Sequence, residues 1–380
     1  MVVQHFLKWM KTARVGERAA AASALARAYV NGQLDFDDLC AADAALTLLL
    51  DDPSPKVRLA MAETLSMSRN APVQIVTALA ADQPEVAAMV LARSPLLTDI
   101  DLVDRVAVGD ATIQSLVAMR PQLSIAVSAA IAEIGAAEAC AELVCNRGAA
   151  IAAMSFRRIA ERHGGEGKLR DLLLGDPRLP ADCRHLLLGK LGEALGGSRL
   201  VVAMMGKERA MRVARDACVK ASVTLIDRTG ADEYPALVEH LRLRGDLTQG
   251  FLVRMVAHGK IDFFGAALVA LSGQGQARVR ALLADGRDVA LRALLNKASL
   301  SRNTHEVILR ALKVWREVAN GKRLAGVQEV SWLMLREIGA TPGQTGPADV
   351  DRELATLLKS IHLDELRDNA RGHALAIAAA

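Results

Sequence analysis

Arginine clusters are the residues of this chain whose type and spacing are best suited to chemistry. The first cluster lies in residues 157–162, and the second places three arginines at intervals of three residues within 209–215. On a helix, residues three apart share a side, so the second cluster predicts a basic stripe. A basic stripe on a helical array can follow a phosphate backbone, which makes these side chains candidates for an interaction site. The alternative is a solvated helix face with pairs four residues apart, such as Glu208 and Arg212. The candidate interaction residues are Arg157, Arg158, Arg162, Arg209, Arg212 and Arg215.

The other motifs that carry chemistry in proteins lack the required spacing here. The segment His163-Gly164-Gly165-Glu166-Gly167-Lys168 has neither the early glycine nor the Ser or Thr after the lysine of a phosphate-binding loop, so we interpret it as a turn. His305-Glu306 is not followed by a second histidine one helical turn later, and no Gly-x-Ser-x-Gly elbow occurs. We therefore predict no catalytic residue, no metal site and no cofactor, and we interpret the single histidines as surface or capping residues.

Composition narrows the class of protein. Hydrophobic residues make up 52% of the 380 residues but aromatic residues only 3%, so the apolar content is mostly Ala, Leu and Val, which suits closely packed helices. The net charge of +4 is too small to predict a polyanionic partner. The five cysteines have no disulfide or zinc spacing, so we expect buried thiols in a reducing compartment. With no signal peptide and no apolar run of about 18 residues, we predict a cytoplasmic protein with no membrane partner.

Helical periodicity runs along the whole chain. Leu123, Val127, Ile131 and Ile134 share one face of a helix, and no segment of useful length alternates between apolar and polar residues as a half-buried strand would. Short polar residues that accept hydrogen bonds from free backbone amides precede the helical runs at intervals of about 30 residues. These predicted caps are Asp52, Asp82, Asp110, Asn146 and Asp176, with Pro53 and Pro177 in the first helical turn of their segments.

A repeat of about 30 residues predicts the architecture. It has room for two helices of roughly ten residues, and such a pair cannot bury its apolar faces without stacking on neighbouring pairs. We therefore predict an all-α protein, an α-solenoid of short antiparallel helix pairs with a period of about 30 residues. The tetratricopeptide and ankyrin patterns are absent, whereas Asp52, Val57 and Arg58 resemble the pattern of HEAT-like repeats. That resemblance implies ladders of acid and base between adjacent units.

Several short motifs, taken in order, carry a resemblance to one family. They are Ser94-Pro95-Leu96-Leu97-Thr98-Asp99, Arg120-Pro121-Gln122-Leu123-Ser124, Asn146-Arg147-Gly148-Ala149, Gly259-Lys260-Ile261-Asp262-Phe263-Phe264 and Asn296-Lys297-Ala298. With the Asp-Pro unit, this order resembles the bacterial domain-of-unknown-function 2336 family, of the alphaproteobacterial type, over roughly residues 40–320. The resemblance implies an all-helical HEAT-like protein and brings no established activity.

Breaks in the helical pattern predict three regions. Residues 1–197 are predicted to form an N-terminal HEAT-like array that ends at Gly196-Gly197-Ser198, and residues 198–338 a second array that continues it or packs on it. Residues 339–380 contain a Gly- and Pro-rich linker from Gly339 to Pro347, one amphipathic helix and a frayed tail. We hypothesise that this helix docks back onto the array and covers its binding surface. The apolar residues that share its face are Leu354, Leu357, Leu358 and Ile361.

The predicted function is that of a non-enzymatic protein-binding scaffold or adaptor, which presents a curved helical-repeat surface to a protein or peptide. Adaptable side chains at Met204, Met205 and Met211 are candidates for that surface. The alternative is a nucleic-acid-binding solenoid, including a relative of the DNA glycosylases built on HEAT-like repeats. Those glycosylases are implied to use tryptophans and an acid on a concave face, whereas the three tryptophans here lie near the chain ends. The sequence leaves the oligomeric state open.

Overall fold

The computed structural model describes residues 8–10, 12–32, 34–340 and 348–379. Within these ranges every regular element is an α-helix, which confirms the predicted all-α class, and an isolated bridge pairs Leu123 with Ala149. The chain divides into two compact units, Met1–Leu179 and Pro180–Ala380. Each unit has its own helices and its own set of packing contacts.

The first unit contains eleven labelled helices, most of them short. Their bounds are α1 Val15–Val30, α2 Phe36–Leu49, α3 Pro55–Leu65, α4 Val73–Leu79, α5 Pro84–Arg93, α6 Asp99–Val108, α7 Ala111–Ala118, α8 Ile125–Ile134, α9 Ala137–Cys145, α10 Ala153–His163 and α11 Gly167–Gly175. Alternate helices pack on one another. One row runs α1, α3, α5, α7, α9, α11, and a second row runs α6, α8, α10. A helix of this length has one apolar face to bury, and two rows of stacked neighbours provide the cover.

Most of the predicted helix caps have a different role. Asp110 does cap α7, because its side chain accepts a hydrogen bond from the amide of Ile113 at 2.9 Å. The other four predicted caps do not occupy a cap position at the start of a helix, and Asn146 and Asp176 instead follow the ends of α9 and α11. Their side chains bind loop amides within two residues, as Asp52 does with the amide of Ser54. Prediction by type and spacing failed here because a short polar side chain stabilises a loop as readily as a helix start.

The prediction that Pro53 and Pro177 lie in first helical turns was also wrong. The first helical positions of α3 and α5 are occupied by Pro55 and Pro84, whereas Pro53 and Pro177 lie in the loops before their helices. A proline at the first helical position loses no hydrogen bond, because the amide there has no partner inside the helix.

Acid–base pairs join segments that lie about 30 residues apart in the first unit. Arg18 binds Asp52 through two hydrogen bonds of 2.9 and 3.0 Å, and Arg58 binds Asp82 through two of 2.5 and 2.9 Å. Arg58 also donates to the backbone carbonyl of Asp52, which links the two pairs. The resemblance to HEAT-like repeats implies acid–base contacts of this kind between adjacent units.

Polar side chains also bind the carboxyl ends of earlier helices. Asn146 donates to the carbonyls of Ala118 and Arg120 at 2.8 and 2.7 Å, 28 and 26 residues before it. In the second unit the guanidinium of Arg316 reaches back to the carbonyls of residues 282, 283 and 286. The last carbonyls of a helix have no partner within it, so each of these contacts satisfies groups that would otherwise need water. Further donors of this kind are Arg120, Arg162 and Arg178.

The second unit contains longer helices around a continuous apolar core. Its helices are α12 Ala181–Gly196, α13 Arg199–Met205, α14 Lys207–Arg228, α15 Tyr234–Arg244, α16 Gln249–Ala257, α17 Ile261–Ser272, α18 Gln276–Asp285, α19 Asp288–Lys297, α20 Arg302–Ala319, α21 Val327–Ala340 and α22 Ala348–Ala379. Fully buried aromatic residues, Phe263 and Phe264, lie in this core, and Phe251 and Tyr234 meet Phe263 edge to face. Such rings fill more volume than the aliphatic residues around them.

The last helix packs against its own unit, as the sequence led us to expect. Leu354, Leu358 and Ile361 are buried in the core, and α22 contacts α16, α20 and α21. An ion pair between Lys220 and Asp364, of 2.9 Å, lies beside the apolar contact. The helix continues to Ala379, beyond the point at which the sequence predicts a frayed tail, because alanine-rich segments favour helix.

Some of the glycine-rich segments of the sequence lie between helices. Residues 164–166 join α10 to α11, and residues 273–275 join α17 to α18, so both glycine-rich segments contain a short connection between helices. Gly339 lies in α21, and residues 341–347 of the predicted linker are outside the described residues. Two cysteines contradict the expectation of five buried thiols, because Cys40 and Cys145 are exposed.

Candidate functional site

Two helices of the second unit expose apolar side chains to solvent. Helix α13 packs on α14, and Gly206 joins them with a φ of 81°, a conformation that glycine adopts readily. Met204 is 76% exposed, and Met205 and Met211 are exposed as well, so all three methionines singled out in the sequence lie at the surface. Other exposed apolar residues of these helices are Leu200 and Val213. Water-exposed apolar side chains in one segment are typical of an interaction site.

The second arginine cluster lies on the same helices. Arg209, Arg212 and Arg215 of α14 are exposed, and no ion pair among the described residues involves them. At 100° per residue, Met211, Arg215, Arg212, Arg209 and Val213 follow one another around the exposed side of the helix. We give the name Met–Arg surface to eight of the exposed residues of α13 and α14: Leu200, Met204, Met205, Arg209, Met211, Arg212, Val213 and Arg215.

The first arginine cluster is engaged inside the first unit. Arg158 binds Glu133 through two hydrogen bonds of 2.7 Å, and Arg157 lies 3.2 Å from Glu161. Arg162 donates to the carbonyls of residues 132 and 135 at 2.8 and 3.0 Å, which places it among the side chains that bind helix ends. The structure therefore divides the six candidate arginines into three that have partners and three that are exposed.

A cavity of about 940 Å³ lies beside the Met–Arg surface, within the second unit. Its walls come from α12 to α16 and from Leu357 of α22, and Met211 and Arg215 border both the cavity and the surface. Glycines of α12 line one wall. At Gly192 an added Cβ would lie 2.3 Å from the Cys218 sulfur, so α12 and α14 approach too closely there for any side chain. Gly189 and Gly196 are further wall positions that add no side chain to fill the space.

The cavity wall combines apolar and charged groups. Its apolar members include Leu188, Val202, Val219, Phe251 and Leu357. The wall contains five basic residues and three acidic residues, so positive charge is in excess. The basic residues are Arg199, Lys207, Arg215, Arg244 and Arg254, and the acidic residues are Glu193, Asp216 and Asp246.

Two of these basic side chains differ in what they contact. Arg244 is paired with Asp246 at 3.1 Å. Arg254 is half-buried, and it makes no hydrogen bond or ion pair with any described residue. Burial lowers the pKa of Arg254, and the nearby acids Asp364 and Asp216 oppose that shift. Even so, an arginine stays protonated, so its charge is held in a partly apolar site.

Buried histidines beside the cavity were missed by the sequence analysis. His185 lines the cavity, and its ring meets that of buried His240 edge to face, with 5.3 Å between the ring centres. Burial lowers the pKa of His185 to about 4, and the positive field of His240 adds to the effect. Single histidines in a helical repeat give no sequence signal of burial. The glycines of α12 do give a sequence signal of close helix packing, because spacings of three and four residues place them on one face of a helix.

Clustered metal ligands and membrane-spanning helices are both absent from the described residues. No group of three or more His, Cys, Asp or Glu in that part of the chain could hold a metal ion. No helix among the described residues combines the length and apolar character needed to cross a membrane.

Residues 86–336 match the model of a family described as an uncharacterised protein conserved in bacteria, DUF2336. The match covers about two thirds of the chain. The chain belongs to this family. That result confirms the resemblance carried by the ordered motifs, and the matched region contains the whole Met–Arg surface and most of the cavity wall. A search of curated proteins and a search of solved structures each found no match.

Proposed function

We propose that this protein is a non-enzymatic protein-binding scaffold whose Met–Arg surface holds an acidic, amphipathic segment of a partner protein. The observation that carries the proposal is the combination on α14 of exposed apolar side chains with arginines that have no ion pair. An amphipathic helix laid on this surface would bury its apolar face against Met204 and Met211. Its acidic residues would pair with Arg209, Arg212 and Arg215.

Methionine suits such a surface for a physical reason. Its unbranched, polarizable side chain adapts to differently shaped partners at little cost. Arginine contributes in a second way, because its flat guanidinium group binds a carboxylate through two parallel hydrogen bonds. The surface would therefore select partners by charge and tolerate variation in the shape of their apolar residues.

The proposed scaffold is built on short HEAT-like repeats with a period of about 30 residues. Three features of the first unit support this: the packing of alternate helices, the Arg18–Asp52 and Arg58–Asp82 pairs, and the side chains that bind helix ends about 30 residues earlier. We also propose a cytoplasmic location, which the free cysteines favour.

Binding is the proposed role because the buried polar groups are poorly suited to catalysis. Burial raises the pKa of the Cys218 thiol, which also donates a hydrogen bond to the carbonyl of Leu188 at 3.4 Å. A protonated thiol is a weak nucleophile. His185, with a pKa of about 4, is a weak base at neutral pH.

Site-specific photocrosslinking tests the proposal. Benzoylphenylalanine replaces Met204 in the full chain, and a matched control replaces Met154 of the first unit, since both methionines are 76% exposed. After irradiation in the cells that naturally produce the protein, we expect discrete protein adducts at position 204 and not at position 154. Mass spectrometry should place the crosslink in an acidic, amphipathic segment. The same adducts at both positions, or none at position 204, would contradict the proposal.

The alternative of nucleic-acid binding gives a different result in the same experiment. An adduct at position 204 whose added mass is removed by nuclease, and whose yield in a cell lysate falls steeply when salt is added before irradiation, would identify a nucleic acid as the partner. Charge reversal of the three arginines to glutamate should abolish either adduct, because both depend on the positive side of α14.

A further inference from the structure

The cavity of the second unit borders the Met–Arg surface at Met211 and Arg215 and has further walls from α12, α15 and α16. Its volume of about 940 Å³ lies in the range of sites that hold small molecules. Small-molecule sites are mostly apolar and contain a few polar groups that orient the ligand. This cavity has that composition, since Leu188, Val202, Val219, Phe251 and Leu357 form apolar walls around a small number of charged groups.

Arg254 is a charged group of the cavity wall that makes no hydrogen bond or ion pair within the described part of the chain. Arg244, on another part of the wall, is already paired with Asp246 at 3.1 Å. Asp364, one of the acids whose field reaches Arg254, is instead paired with Lys220 at 2.9 Å. Asp216 lines the cavity but forms no ion pair with Arg254. The half-buried guanidinium group of Arg254 thus lies near two acids without forming an ion pair with either of them.

We infer that the cavity binds a long-chain carboxylate, whose hydrocarbon chain lies against the apolar walls and whose head group pairs with Arg254. Arginine and carboxylate are matched in geometry, because two N–H groups of the fork face the two oxygens. The excess of basic over acidic residues around the cavity favours an anion over a cation. The apolar wall residues Val202, Val219 and Leu357 offer the hydrocarbon chain its contacts.

Calorimetric titration of the full chain with three amphiphiles of equal chain length tests this inference. The probes are dodecanoate, dodecanol and dodecylammonium, each kept below the concentration at which it forms micelles. We expect dodecanoate to bind one site per chain at least about tenfold more tightly than dodecanol, because the hydrogen bonds to Arg254 are charge-assisted. Dodecylammonium should bind most weakly, since the cavity carries excess positive charge.

Variants separate the role of Arg254 from that of the apolar walls. Arg254→Gln should remove the preference for dodecanoate over dodecanol, and Arg254→Lys should keep only part of it. The control is Arg242→Gln, because Arg242 is exposed, pairs with Glu239 and does not line the cavity. Val202→Trp should weaken binding of dodecanoate and dodecanol alike by filling the space.

Equal affinity for acid and alcohol, or a preference that survives in a folded Arg254→Gln chain, would overturn the inference. If Arg254→Gln does not fold, the comparison of the three amphiphiles on the unchanged chain and on Val202→Trp still decides it.

Discussion

Arg58 and Asp82 are joined by two hydrogen bonds, of 2.5 and 2.9 Å, across 24 residues of sequence. Both side chains are largely buried, and Arg58 also donates to the carbonyl of Asp52. Arg18 makes the equivalent contact to Asp52 one step earlier. Arg58 thus binds two consecutive loops of the first unit.

Replacing Arg58 with alanine should destabilise the chain by about 1–3 kcal/mol, because the Asp82 carboxylate and the Asp52 carbonyl lose their donor. The control is Lys56→Ala, since Lys56 is exposed on the same helix. The Arg58 guanidinium helps hold the pKa of Asp82 below its usual value, so its contribution is present at neutral pH and is lost as the pH falls below about 4. Urea unfolding at several pH values measures this. A loss that is as large in acid as at neutral pH would contradict the account.

Gly192→Ala should destabilise the second unit by about 1–3 kcal/mol, because the new methyl group would lie 2.3 Å from the Cys218 sulfur. The thiol cannot turn away without losing its hydrogen bond to Leu188. Gly175→Ala is a matched control, since a Cβ there meets nothing within 4 Å, and we expect it to be neutral or slightly stabilising.

A second variant identifies the cause. If the clash with sulfur is responsible, Cys218→Ala should recover much of the stability lost in Gly192→Ala, and a double-mutant cycle measures that coupling. Strictly additive effects of the two substitutions would show that the close approach of α12 and α14 is not the reason.

Leu358→Ala should cost about 2–5 kcal/mol, because Leu358 of α22 is fully buried in the core of the second unit. Leu363→Ala on the same helix should cost about 0.5 kcal/mol or less, since that side chain is 49% exposed. Thermal or urea unfolding compares the two. An equal effect of both substitutions would mean that α22 is a detachable cover, as we hypothesised from the sequence, and not part of the core.

His185 should make the stability of the chain depend on pH below neutral. Its pKa is about 4 in the folded chain and about 6.5 when exposed. Above pH about 6.5 the ring is neutral in both states and contributes nothing to this dependence. As the pH falls towards 4, the unfolded chain takes up a proton that the folded chain does not, so stability is lost. Between pH 7 and 5, His185→Gln should lose roughly 1–2 kcal/mol less than the unchanged chain. Urea unfolding at each pH measures the free energy of unfolding. An equal loss of this free energy between pH 7 and 5 in the two proteins would contradict this assignment.

The helices and their apolar faces were largely predictable, because a period of 3.6 residues is a local property of the sequence. The face of α22 that contains Leu354, Leu358 and Ile361 is one example, since all three are buried as the pattern indicates. The family was predictable for a related reason, because ordered motifs stay recognisable without any knowledge of their contacts.

The roles of individual polar residues were harder to predict. Asp52 and Asp82 were assigned as helix caps on type and spacing, yet each binds an arginine 34 or 24 residues earlier. The arginine clusters looked alike in the sequence, but Arg158 has a partner in Glu133 and Arg212 has none. A local pattern shows that a side chain is charged and does not show which distant group faces it.

The sequence by itself determined the all-α class, the approximate helix segments and the family. Only the tertiary structure decided which arginines remain exposed, that His185 and His240 lie buried together, and that a cavity containing Arg254 opens beside α14. The physical reason is the range of the interactions. Helix periodicity is set by neighbouring residues, whereas burial, ion pairing and empty space arise from segments that are far apart in the chain and meet only when it folds.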